Sequence, residues 1–292
     1  MTTATAGAVN AILARSIMDP AFLAMMCTDP TSGLLGLDLD DATRSDLQCL
    51  DWSRIRHFTG FITKVHHNDL WPVLPYTRAI LKAYRFEIEF FARYRPTYLQ
   101  LRATASTRND KISRFLRFLE SEISPRDFPG LTDVARHEEA RWLAGAAGSS
   151  TRGLSDPGAG EGLATRSSRD GLRLVPFVRG VLRIVRFDTD PEASIRAINQ
   201  GCFGAGAVIT RSRWIGYWMD PRKGCVRLLE LDAGTSGILA QVDGRRSLAT
   251  VNRRAGMAVP MTRGVLEVAQ TQGLVGMDRP MRSGSRDASR PC

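Results

Sequence analysis

The chain lacks most of the signatures from which chemistry is read off a sequence. No apolar run approaches the ~20 residues that a membrane span needs, so no membrane partner is expected. The opening MTTATAGAVN has neither a basic n-region nor a cleavage-like apolar core, so no secretory signal is expected. The five cysteines (Cys27, Cys49, Cys202, Cys225, Cys292) show no C-x-x-C spacing. They suit reduced thiols in a cytoplasm better than a disulfide frame or a zinc site. Neither a G-x-x-x-x-G-K-[ST] loop nor a G-x-S-x-G elbow occurs. Gly201-Cys202-Phe203-Gly204-Ala205-Gly206 contains a Gly-x-Gly, but it follows a helical pattern and precedes a strand. A dinucleotide turn needs the opposite order.

Histidine is also scarce, with four in 292 residues: His57, His66, His67 and His137. His66 and His67 are adjacent, and neighbours on a helix point away from each other. His137-Glu138-Glu139 lacks the second histidine of a zinc-protease helix. A metal-dependent enzyme built on His66, His67 and His137 is therefore the weaker alternative, and helix-terminal or packing roles are expected for them. No cofactor is expected in this chain, and no catalytic or metal-binding residue is assigned.

What is present is an ordinary globular mixture, 43% hydrophobic and 24% charged, long enough for about two domains. The net charge is +10, carried almost entirely by arginine. Arginine favours bidentate pairing with carboxylate or phosphate, so an acidic peptide or a nucleic acid is the indicated class of partner. Solvated surface charge is the plainer account.

The pattern divides the chain into an all-helical half (1–144), a Gly/Ser/Ala/Pro-rich linker (145–170), a mixed half (171–276) and a loose tail (277–292). In the first half, Asp19-Pro20 and Asp29-Pro30 each place a capping acid before a first-turn proline. Asp41 opens an expected long helix with a stripe through Leu47, Leu50, Ile55, Phe58, Ile62 and Val65. Ile80, Leu81, Tyr84, Ile88 and Phe91 form the next stripe. Asn109 or Asp110 is expected to cap a helix through Leu119, and 131–143 to form the last helix.

In the second half, 178–187, 207–219 and 226–231 read as strands, with a helix from Asp190-Pro191 between the first two. Trp214, Tyr217 and Trp218, beside Arg211 and Arg213, fit a sheet face better than a base-stacking platform. After the third strand come three helices. Asp232 caps the first, which holds Gly234 and Gly237 and is expected to be short or kinked. Ser247 opens the second, and the third ends at Gly273. The expected fold is α+β: an all-helical N-terminal domain and a winged-helix-like C-terminal domain of antiparallel strands followed by three helices.

Three regions carry a resemblance. LWPVLPYTRAIL, EIEFFARYRP, ISRFLRFLESE and FPGLTDVARHEEARWLA, with Asp133-Val134-Ala135 and Glu138, resemble the helical domain of partner proteins that accompany multinuclear non-haem iron-dependent oxidative enzymes. The region 12–41 is similar to small helical segments found in leader peptides and associated proteins. Val242-Asp243-Gly244, Arg246-Ser247-Leu248 and Gly273-Leu274-Val275 resemble the peptide-recognition element of ribosomal peptide natural-product pathways. The two halves together are similar to partner subunits of the kind that serves the 3-thiaglutamate pathway.

The resemblance implies a non-catalytic protein that binds a precursor's leader peptide and presents it to an iron-dependent oxidative enzyme, with iron in that partner alone. It implies an extended leader added to the edge of the third strand, at Val226, Arg227, Leu228, Leu229 and Glu230. Arg263, Leu266, Ala269 and Gln270 of the third helix would form the other wall. Arg227 and Arg263 would meet acidic leader residues, unless they are plain surface charge. A winged-helix DNA-binding regulator is the main rival. Helices 248–254 and 262–272 are not densely basic, so no nucleic-acid partner is expected.

Overall fold

The structure, a computed structural model, describes residues 3–101, 107–150 and 173–278. Residues 151–170 of the expected linker, and the tail from 279 with Cys292, lie outside these. The fold is α+β, a helical N-terminal region followed by C-terminal strands and helices.

The helices are α1 (Thr3–Met18), α2 (Pro20–Thr28), α3 (Pro30–Gly33), α4 (Asp41–Gln48), α5 (Trp52–His66), α6 (Pro75–Ala83), α7 (Glu87–Leu101), α8 (Arg108–Glu122) and α9 (Leu131–Ser150). Strands β1 (Val175–Val178) and β2 (Val181–Thr189) come next, then α10 (Pro191–Asn199), β3 (Thr210–Asp220) and β4 (Cys225–Leu231). Helices α11 (Ala233–Leu239), α12 (Leu248–Ala255) and α13 (Val259–Thr271) lead to β5 (Val275–Asp278). No single described helix is long and apolar enough to cross a membrane.

Local chemistry sets many of the ends. Asp19 accepts hydrogen bonds from the Ala21 and Phe22 amides, and Asp29 from that of Ser32, each ahead of a first-turn proline. The expected helix from Asp41 to Val65 is two helices. Asp40 caps α4 through the Thr43 amide, and Asp51 restarts the chain by accepting from Ser53 and Arg54. The apolar stripe read across that break is not the buried face of α5. Trp52, Thr59, Gly60 and Thr63 are buried, whereas Phe58, Phe61 and Val65 are exposed. A β-carbon on Gly60 would lie 2.5 Å from the Ile88 carbonyl oxygen, so the missing side chain lets α5 and α7 touch backbone to backbone. The stripe through Ile80 and Phe91 is likewise interrupted, by Arg85 at φ 54° between α6 and α7. The cap of α8 is Thr107, in a reciprocal capping box with Asp110, rather than Asn109 or Asp110 itself.

Two compact units emerge, Met1–Glu138 with Glu192–Val208, and Glu139–Pro191 with Ile209–Cys292. The sequence division at 144 is thus replaced by one inside α9, and α10 sorts with the N-terminal unit. Phe203 sets its ring edge-on to Tyr84 at 5.8 Å, and Val208 and Ser194 close around Gly130. These contacts are distant in sequence and leave no periodic trace. The start of the expected linker, Gly145 to Ser150, is helical, continuing α9 through Ala146 and Ala147.

The first unit's core is aromatic. Phe90, Phe91, Tyr94 and Phe115 are at most 2% exposed and meet in edge-on, tilted and stacked pairs, with Phe90 and Phe115 centroids 4.9 Å apart. Such contacts add about 0.5–1.5 kcal/mol per pair beyond area burial. Glu138 of α9 supplies the N-terminus of α6 with its acceptor. Its carboxylate receives the Tyr76 and Thr77 amides at 2.8 Å and the Thr77 hydroxyl at 2.6 Å.

In the second unit β2, β3 and β4 form an antiparallel sheet in that order, with Trp218 opposite Arg227 and Tyr217 opposite Leu228. The strand expected at 178–187 is split. A turn at Gly180 (φ +79°), packed on the Met219 carbonyl, separates β2 from β1, and β1 pairs instead with β5. Met277, expected to begin the loose tail, lies opposite Pro176 in that pair and is 4% exposed.

Candidate functional site

Strand alternation gives the β2-β3-β4 sheet two covered faces. On one, Trp218, Leu229 and Leu231 join a core with Ile238, Val251, Leu266 and Ala269 from the three helices α11–α13. On the other, Phe187, Ile215, Tyr217 and Val226 pack with Ala140 and Ala144 of α9. With both faces occupied, β4 still has one side carrying no strand among the described residues. An edge strand presents a row of amides and carbonyls that an extended chain can pair with.

The residues assigned to capture separate into three groups. Leu228 and Glu230 are exposed and Arg227 is half-buried, so they border the edge. Val226 and Leu229 are half-buried against the two cores. Leu266 (0% exposed) and Ala269 (5%) are core residues, which corrects their assignment to a groove wall. The helical period of α13 turns Thr262, Leu266 and Ala269 inward and leaves Met261 and Val268 outward. Gln270 is half-buried.

The charged members already have partners. Arg227 lies over the Trp218 ring at 5.4 Å and 3.7 Å from Asp220. Glu230 receives Arg213 at 3.3 Å and Arg211 at 3.7 Å. Arg263 is bonded to Glu267 one turn on, at 3.0 Å. An incoming acidic residue would have to compete with these carboxylates. Sequence reasoning missed Arg213 as an organising group. It is largely buried, spans Asp190 at 2.7 Å and Glu230, and so ties the end of β2 to the edge strand. Only the short spacing of Arg211 and Arg213 along β3 hinted at it.

The histidines do not converge. His67 is buried, with Tyr98 and Tyr94 edge-on at 4.7 and 5.3 Å, and its Nδ1 lies 2.7 Å from the Thr63 carbonyl. That geometry makes Nδ1–H the donor, and burial holds the imidazole below its ordinary pKa. His66 is exposed beside Tyr98, His57 is exposed on α5, and His137 is buried in α9. Among the described residues no group of three His, Cys, Asp or Glu side chains gathers around one point. Tyr217 and Trp218 are sheet-face residues, and the Trp218 indole donates to the Arg179 carbonyl at 2.6 Å.

No protein-family model matches the chain, and no curated protein matches it in sequence.

Proposed function

We propose that the chain is a non-catalytic partner protein. It captures the leader of a ribosomally made precursor peptide on β4 and presents the peptide to an iron-dependent oxidative enzyme docked on the helical unit. The observation that carries this reading is the open side of β4 on a sheet whose two faces are already packed. Strand addition there needs no rearrangement of either core. The main-chain ladder supplies affinity, while Leu228 and the Arg227 and Glu230 charges supply register and selectivity. The enzyme partner and its iron rest on the sequence resemblance. Joining capture and docking in one chain raises the effective concentration of the peptide at the enzyme, to roughly millimolar for a short flexible tether.

The test is affinity purification of the tagged full chain from its own host. Co-purifying peptides are identified by mass spectrometry, and the peptide found is then used in hydrogen exchange. Expected are a ribosomal precursor peptide, an iron-containing enzyme, and slowed exchange at 225–231 on peptide addition. Peptide-induced protection confined to the helical unit would overturn the placement on β4. Tight, sequence-dependent binding of duplex DNA at physiological salt, with no peptide recovered, would overturn the function.

A further inference from the structure

Helices α2, α5 and α7 of the first unit line an open pocket of about 290 Å³, at the small end of ligand pockets. Leu23, Ala24 and Pro96 give it an apolar wall, and Arg56, Arg93 and Arg95 its charge. No acidic residue lines it. Arg56 and Arg93 share the single carboxylate of Glu89, at 2.6 and 2.9 Å.

Arg95 is different. It is 5% exposed, and its two hydrogen bonds go to neutral oxygens: Nη1 donates to the Thr63 hydroxyl at 3.1 Å and Nη2 to the Ile17 carbonyl. Its Nε is buried with no acceptor, and no described carboxylate pairs with it. A buried guanidinium without a counter-charge is costly and is ordinarily matched by an anion. The other polar groups of the lining are already committed. The Thr59 and Thr28 hydroxyls donate to carbonyls of their own helices, and Cys27 Sγ to the Trp52 carbonyl. The arginines are therefore what the cavity offers a ligand.

We propose that this cavity binds an organic monocarboxylate with an aliphatic body, its carboxylate on Arg95 and Arg93 and its chain against Leu23, Ala24 and Pro96. A planar carboxylate matches the guanidinium fork, and one negative charge balances Arg95. A phosphate would leave the apolar wall unused. The site belongs to the helical unit and does not rest on the peptide-capture reading.

The test is thermal unfolding of the full chain in titrations with hexanoate, for a free acid, and N-acetyl-leucine, for a peptide C-terminus. Hexanamide, N-acetyl-leucinamide and inorganic phosphate are run alongside. Expected is a Tm that rises with at least one acid and with neither amide, the stronger acid naming the source. Arg95→Gln should abolish the response. Should that buried variant fail to fold, two exposed positions test the same site. Arg93→Gln should weaken binding roughly tenfold, and Ala24→Phe should remove it by filling the cavity. Equal shifts for acids and amides, a shift with phosphate alone, or an unchanged response in Ala24→Phe would each overturn the site.

Discussion

The two units each bury an arginine and treat it in opposite ways. In the sheet unit, Arg213 lies between Asp190 and Glu230 with ion pairs of 2.7 and 3.3 Å. In the helical unit, Arg95 is packed just as deeply against a hydroxyl and a carbonyl, with no carboxylate paired to it among the described residues. A paired interior charge serves the fold, because removing one partner strands the other. An unpaired one at a cavity wall serves the fold poorly and is better explained by what enters the cavity. The contrast separates a structural arginine from a binding one by the charge that surrounds each.

The largest expected effect tests the structural half of that contrast. Asp190→Ala leaves Arg213 short of its closest counter-charge and should cost about 3–5 kcal/mol in urea unfolding, with Asp190→Ala/Arg213→Leu recovering much of the loss. A single-mutant cost below ~1 kcal/mol would mean Glu230 alone suffices. Next comes the helical unit's own close contact. Gly60→Ala pushes a methyl onto the Ile88 carbonyl and Ala92 amide, and about 1–3 kcal/mol of destabilisation is expected. Arg95→Met should then be nearly neutral in the absence of ligand, within ~1 kcal/mol by denaturant midpoint, because no buried carboxylate is stranded. A loss as large as that of Asp190→Ala would erase the distinction between the two arginines.

The smallest effect is a pH slope from His67. Burial holds its folded-state pKa below the ordinary 6.5, so the unfolded chain binds more protons once pH falls under that value. Stability should be full above it and decline as pH falls toward the folded pKa, and His67→Gln should flatten that segment of the curve. The exposed capping carboxylates Asp19, Asp29 and Asp51 are held below their ordinary 3.8 by the hydrogen bonds they accept, so whatever stability they add is present above that value and is lost only at more acidic pH.

Local signals carried much of the architecture. Asp-Pro pairs marked the starts of α2 and α3, Asp232 and Ser247 those of α11 and α12, β-branched alternation located β3, and a short apolar run located β4. The edge strand of the candidate site was legible for the same reason. What failed was everything decided by distant packing. The stripe from Leu50 to Val65 looked like one buried face, but Asp51 and Gly60 rotate α5 so that Phe58 and Val65 meet solvent. β1 needed a partner a hundred residues away, supplied by β5. Leu266 and Ala269 fitted a groove wall by helix position, yet the same period turns them into the core. Arg95 was invisible because nothing in its neighbourhood along the chain says that no acid will fold beside it.

The carboxylate that seats α6 has a consequence for the order in which the protein is made. Glu138 lies 62 residues downstream of the Tyr76 amide it accepts from. Synthesis runs from the N-terminus, so α6 leaves the ribosome with its first amides bare and receives their acceptor only after α7, α8 and the start of α9 have followed. A nascent chain halted before Leu131 would hold a frayed α6, and arrival of Glu138 would be the event that closes it.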